Sequence, residues 1–346
     1  MTRLEVIALP TTTEVRHGTD LCALLLTAAA AAGVTLRDGD VVAIVSKVVA
    51  KSEGNVVTLP PAPDHHAARR LLARAQARRV VAETASVLIV ETHHGFVCAN
   101  AGIDTSNLPD GDEVALLLPD APDRSAAELR AALAARVGVD VGVVVTDTFG
   151  RPWRLGLTDV ALGAAGVEVL RDDRGSSDRE GRTLDVTITA TADQLAAAAD
   201  LVRTKSSGTP FVLLRGLHVA GPGFNGHRAC DLIRPSEQDA FRTGGPTAGL
   251  ELLQRSTSSD EPPASLLLDD ALLHTLAQEG RRASPGATFS LRHGTQAAIE
   301  IAASEWEAGR AATAVCVAAA AFGWSAQVTR TDHGATVRVG ATPTKT

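Results

Sequence analysis

Asp40–Val45 is a nearly continuous apolar run no longer than a strand, and that combination restricts the fold more than anything else in the sequence. A half-exposed strand alternates apolar with polar residues, whereas an unbroken run is buried on both faces and needs covering layers on each side. Val139–Thr146 is a second strong strand signal. Helix and strand signals recur around these two. Leu4–Leu9 reads as a strand, Asp20–Ala32 as a helix rich in alanine and leucine, Val56–Leu59 as a strand and His65–Arg79 as a basic helix. Ser86–Glu91, Val114–Leu118, Leu184–Ala190 and Pro210–Leu214 add strands, and Asp193–Thr204 adds a helix. Ser125 with Glu128 makes a capping-box pattern that opens a helix through Val137. The expected class is mixed α/β (α+β), without the regular alternation of a Rossmann or barrel fold.

A chain of 346 residues exceeds one comfortable core, so two parts are expected. Residues 1–250 form the main domain, 251–264 a linker containing the polar, proline-bearing Ser256–Pro263, and 265–346 a small C-terminal α/β subdomain. In that tail Leu266–Gln278 and Thr295–Ala321 read as helices, and Ala326–Arg330 with Ala335–Val339 as a hairpin. The net charge of −7 argues against a nucleic-acid footprint. The longest apolar run, Ala311–Phe322, is too short to span a bilayer, and no signal peptide precedes Leu4. Cys22, Cys98, Cys230 and Cys316 lack the spacing of a zinc site or disulfide framework, which suggests reduced thiols in a cytoplasmic protein.

Two segments carry the chemistry. Glu91–Pro109 and Val143–Arg154 each place an acid where an apolar strand gives way to a polar, glycine-containing turn. Asp104 stands beside Ser106 and Asn107, and Asp147 beside Thr148. Carboxylates and hydroxyls at strand ends are hard oxygen ligands of the kind that hold Mg2+ or Mn2+ against a nucleotide phosphate. Ser46, Lys47 and Lys51 cluster after the buried strand, where ammonium groups neutralise phosphate oxygens; a solvated loop is the plainer reading. No Gly-x-x-x-x-Gly-Lys-Ser/Thr loop is present, so a phosphate site must be built another way. Arg151, Trp153 and Arg154 offer either an anion anchor or structural salt bridges around a buried indole. Asp159 reads as a salt-bridge partner or a further acid at the site, Lys205–Pro210 as a nucleotide-lining or merely connecting loop, and His93-His94 as structural or surface residues.

At these residues the sequence resembles the coenzyme F420 γ-glutamyl ligases, which add glutamate to a deazaflavin coenzyme using GTP. The resemblance rests on Leu9–Thr12, Asp38–Gly54, Glu91–Pro109 and Thr146–Ala165, in that order, with a weaker stretch through Ala190–Leu217. It implies GTP contacts from Leu9, Pro10, Thr11, Thr12, Ser46, Lys47, Lys51, Asn107, Lys205, Ser206, Ser207 and Gly208. It implies metal ligation by Asp104, Asp147 and Thr148. Where archaeal relatives carry an acidic or amide metal ligand, this chain has Lys205, a departure that bears on a second metal. The resemblance also implies an intertwined homodimer with the family's own mixed α/β fold, and Mg2+ or Mn2+, with K+ as an additional cation. The tail is shorter than the nitroreductase-like domain some relatives carry, and no FMN is assigned to it.

The expected activity is a GTP-driven amide ligation in which the F420 precursor's carboxylate is phosphorylated and then attacked by L-glutamate. Lys47 and Lys51 stabilise phosphoryl charge, and Arg151 and Arg154 anchor the acidic substrates. Two alternatives stand beside it: a non-catalytic nucleotide- or deazaflavin-binding module, and a metal-dependent phosphohydrolase.

Overall fold

The computed structural model describes residues 3–83, 86–106, 113–203, 208–224, 226–235 and 238–239, and beyond these four C-terminal strands with scattered neighbouring positions. The chain divides into two compact units, Met1–Pro235 and Ser236–Thr346. The first opens with β1 (Glu5–Leu9), α1 (Leu21–Ala31), β2 (Val41–Val45), α2 (Ser46–Glu53), β3 (Val56–Thr58) and α3 (His65–Ala75). There follow β4 (Ala77–Glu83), β5 (Leu88–Thr92), β6 (Val97–Ala99), β7 (Val114–Leu116) and α4 (Pro122–Val137). It closes with β8 (Gly142–Arg151), β9 (Arg154–Ala165), β10 (Arg171–Asp172), β11 (Ile188–Thr189), α5 (Thr191–Asp200) and β12 (Phe211–Arg215).

A five-stranded sheet in the order β1-β12-β2-β8-β9 forms the frame. Only β2 and β8 are parallel; the other pairs are antiparallel. The apolar run read from the sequence feeds two cores at once. Val42 and Ile44 of β2, with Val143 and Val145 of β8, pack on one face with Leu25 of α1 and Leu129 and Leu133 of α4. Val41, Ala43 and Val144 face the other way, onto Ala192, Leu195 and Ala199 of α5. Each fully buried valine contributes about 1.5–3 kcal/mol by the usual area relation, so the double cover explains the missing alternation. Mixed α/β architecture is what the sequence anticipates.

Local chemistry sets the helix ends. Asp20 caps α1 by accepting Ala23 N at 3.0 Å, and Asp64 caps α3 by accepting Ala67 N at 2.7 Å. Gly54 ends α2 in a left-handed conformation, φ +86°. Four local expectations are corrected. Ser46–Glu53 is a helix following directly on β2, not a loop, because nothing before Gly54 breaks it. The basic helix stops at Ala75, and Ala77–Glu83 pairs with β5 as a strand. The helix expected to be capped at Ser125 has Ala121 as its N-cap and begins at Pro122; Ser125 Oγ instead donates to Glu53 Oε1 at 2.6 Å. Leu184–Ala190 contributes only Ile188–Thr189 to a strand.

The second unit contains β13 (Thr288–Arg292), β14 (Ala297–Ala302), β15 (Trp324–Thr331) and β16 (Gly334–Ala341), in the order β13-β14-β16-β15. The expected hairpin is present as β15–β16. The helix expected over Thr295–Ala321 is overturned at its start, where Ala297–Ala302 pairs with two strands. Alanine favours helix locally, but ladder bonds on both sides and burial of Ile299 and Ile301 decide otherwise. The linker expected at 251–264 lies outside the described residues.

Candidate functional site

The parallel register of β2 and β8 decides where the chemistry sits. Val45 pairs with Thr146, so β2 ends beside the middle of the longer β8 and brings Ser46 and Asp147 within hydrogen-bonding reach of each other. The flanking strands bring their own ends there. Val45 N donates to Pro210 O at 3.0 Å, Thr11 N donates to Gly208 O at 2.8 Å, and Thr148 lies opposite Asp159 across the β8–β9 ladder. The carboxyl edge of parallel strands is where open α/β sheets bind ligands. A cavity of about 820 Å³ opens at this edge, and Thr11, Ser46, Lys47, Lys51, Asp104 and Asp147 are in its wall.

Lys47 and Lys51 are one helical turn apart on α2, and both line the cavity. Lys47 Nζ donates to Asp104 Oδ2 at 2.8 Å, to Ser106 Oγ at 3.3 Å and to the Ser106 carbonyl. Asp104 Oδ1 accepts from both the amide and the hydroxyl of Ser106, each at 2.7 Å. Burial opposes ionisation of Asp104, but the bonds from Lys47 and Ser106 outweigh it and hold the carboxyl below its ordinary range. Burial, and then the charge of Lys47, pull the Lys51 ammonium below its ordinary value.

Asp104 is fixed from behind by strained backbone. Asn100, Ala101 and Gly102 are consecutive left-handed residues with φ of +50°, +57° and +68°. A side chain at Gly102 would meet Leu118 at 2.8 Å, so glycine is required there. Asp104 then exchanges two backbone bonds with Leu116, at 3.0 and 2.8 Å. Left-handed alanine and asparagine each cost about 1 kcal/mol or more, and such strain concentrates at functional positions.

Asp147 is in a different electrostatic state. Thr148 N donates to it at 2.8 Å and the Ser46 hydroxyl adds a bond, but it makes no ion pair among the described residues. Burial drives its carboxyl up to about 7, and the charges of Asp159 and Asp104 push the same way. Behind it Asp159 is neutralised. Arg203 Nη1 donates to Asp159 Oδ2 at 2.9 Å and to Thr146 Oγ1 at 2.8 Å, while Nη2 donates to Ala43 O at 3.0 Å. The hydroxyls of Thr146 and Thr148 donate to Asp159 at 2.9 and 2.8 Å. Asp159 is thus the buried salt-bridge partner of Arg203.

The donor set fits a divalent cation held by two carboxylates. Asp104 and Asp147 share the cavity, the charge of Asp104 raises the proton affinity of Asp147, and among the described residues Asp147 lacks the counter-charge that Asp104 has in Lys47. No cluster of three or more His, Cys, Asp or Glu with metal-site geometry occurs among the described residues. Thr148 faces the cavity, with its hydroxyl proton committed to Asp159 and its lone pairs left for a cation.

The remaining expected residues separate into groups. Thr11, Ser46, Lys47, Lys51 and Gly208 line the cavity. The side chain of Leu9 is fully buried in the core, so a ligand would meet only its backbone, and Pro10 and Thr12 are exposed outside the cavity wall. Asn107, Lys205, Ser206 and Ser207 lie outside the described residues. Arg151 and Arg154 are exposed near the tip of the β8–β9 hairpin, and the buried indole weighed beside them is instead Trp153, 80% exposed with φ +55°. Neither arginine belongs to the cavity wall. Sequence reasoning missed Arg69 and Asp200 as lining residues, since neither carries a local motif; Arg203, at the start of the stretch matched to a nucleotide-contacting loop, also lines the cavity.

The family model for F420-0:gamma-glutamyl ligase matches residues 11–216. The coenzyme F420:L-glutamate ligase of Methanopyrus kandleri is 42% identical over 253 residues, covering 69% of this chain and 98% of that protein. The protein of the same name from Methanothermobacter thermautotrophicus is 38% identical over 241 residues, covering 65% and 93%. That of Methanocaldococcus jannaschii is 36% identical over 220 residues, covering 60% and 86%. The matched region takes in the cavity and its walls from Thr11 to Pro210.

Proposed function

The chain belongs to the F420-0:gamma-glutamyl ligase family, and from that premise we propose that it joins L-glutamate to the coenzyme F420 precursor using GTP. The observation that carries this reading is the convergence of Lys47, Lys51, Asp104 and Asp147 on one cavity at the sheet edge. A carboxylate does not react with an amine, because its leaving group would be oxide. In the proposed route a carboxylate oxygen of the precursor attacks the γ-phosphorus of GTP, GDP departs, and a mixed acyl phosphate forms. The amino nitrogen of glutamate then attacks the acyl carbon, inorganic phosphate leaves, and the amide is complete once the nitrogen loses its proton.

The chain's own residues serve this route in separable ways. Lys47 and Lys51 neutralise charge on the transferring phosphoryl group. The backbone donors at the start of α2, around Ser46, face a phosphate oxygen, while the Ser46 hydroxyl orients Asp147. Asp104 and Asp147, with Thr148, would hold Mg2+ or Mn2+, which when bound supplies further neutralisation of phosphate charge. Arg203 keeps Asp159 neutralised, so the cavity floor adds no uncompensated negative charge against an anionic substrate. Trp153, Leu155 and Leu157 expose an apolar stripe on the β8–β9 hairpin, Leu155 fully so, and we assign that arm to a homodimer contact.

The test incubates the protein with GTP, Mn2+, L-glutamate and the precursor, following product mass and phosphate together. Glutamate-dependent gain of one glutamyl unit with stoichiometric phosphate is the expected result. Phosphate release indifferent to glutamate would make the protein a phosphohydrolase, and binding without turnover would make it a binding module.

A further inference from the structure

Arg69 of α3 lines the cavity and has no part in the route above. Its Nη2 donates to Ile103 O at 2.9 Å, one residue before Asp104. A guanidinium has five N–H donors, and among the described residues this is the one hydrogen bond Arg69 makes; its Nε is buried without a partner. Among the described residues the other guanidinium in the wall is that of Arg203, which is neutralised by Asp159. Arg69 has no carboxylate in salt-bridge range among the described residues. A shielded, unsatisfied donor is unfavourable, and an arginine fork is satisfied most fully by a two-oxygen anion. Lys47 approaches the Asp104–Ser106 strip from α2, whereas Arg69 approaches Ile103 from α3, so the two cations flank Asp104 along the chain.

We propose that Arg69 binds a carboxylate of one of the two acidic substrates, a role that rests on the ligase reading. The paired ammonium groups of α2 suit the spread charge of a polyphosphate, while the planar fork suits a carboxylate. Bound there, the carboxylate supplies acceptors to guanidinium N–H groups that have none among the described residues.

The full-length wild type is assayed first, and a failure to ligate counts against the ligase reading alone. Independently, L-glutamate and the precursor are each titrated by calorimetry into the wild type and R69Q. Removing a bidentate charged contact is expected to weaken one of the two acidic compounds about 10- to 100-fold in both KM and Kd. The KM for GTP should stay within about twofold. Which compound weakens identifies whose carboxylate is held. R69K, which keeps the charge and loses the fork, should fall between the two and decides the matter if R69Q does not fold. Equal binding of both acidic compounds by wild type and variant overturns the assignment. So do a change confined to GTP and an absence of wild-type binding to either acid.

Discussion

Two carboxylates in one cavity are held in opposite states, and their behaviour on substitution should differ accordingly. Asp147 titrates near 7 when folded against an ordinary 3.8, so the folded, metal-free protein holds a proton that the unfolded chain gives up. The stabilisation from that proton is complete below about pH 4 and is lost as the pH rises towards 7. Asp147→Asn cannot ionise and keeps the shape of the protonated side chain. At pH 8 its unfolding midpoint should equal or exceed that of the wild type, while ligation falls by about 10³-fold or more. A drop in midpoint of more than about 5 °C at pH 8 would make Asp147 structural. Lys47 behaves in the contrary sense: Lys47→Met strips Asp104 of its counter-charge and should raise the KM for GTP about 10- to 100-fold. Unchanged nucleotide affinity would remove Lys47 from the phosphate site. Both acids were legible in the sequence because each follows an apolar stretch with polar neighbours, although Asp147 lies inside β8 and Asp104 follows the kinked Asn100–Gly102 rather than a strand. Arg69 and the Asp159–Arg203 pair were not, since their meaning arises only when residues 34 and 44 positions apart are brought together.

Secondary structure was readable where burial and periodicity agreed, as in β2, and misleading where a tertiary contact overrode local preference. Ser46–Glu53 has no strong stop or start signal except Gly54, yet docking beneath β8 makes it a helix and turns two unremarkable lysines into one cationic face. In Ala297–Ala302 the alanines pointed to helix and the neighbouring strands prevailed. The close approach of α4 to β9 was likewise hidden. Gly163 lets the backbone of Pro122 come so near that an added Cβ would lie 2.2 Å from its carbonyl carbon and oxygen. Gly163→Ala must therefore shift the start of α4, where Asp123 accepts Ala164 N at 2.9 Å and Ala229 N at 2.8 Å. The expected destabilisation is about 3 kcal/mol or more, read by urea unfolding. A loss below about 1 kcal/mol would mean that the helix start yields cheaply.

For the whole molecule, the family match ends at residue 216 while the second unit begins at Ser236. A chain shortened to residues 1–245 is expected to keep glutamate-dependent ligation within about tenfold of the full chain, and a complete loss would tie the second unit to the reaction. On the β8–β9 arm, Leu155→Glu places a charge in the exposed apolar stripe and should shift sedimentation from dimer towards monomer. An unaltered sedimentation profile would move the interface elsewhere. The direct passage from β2 into α2, with no intervening loop, has a mechanical corollary. Displacing the lysine-bearing turn means dragging a doubly covered strand, so that side of the cleft acts as a fixed anvil.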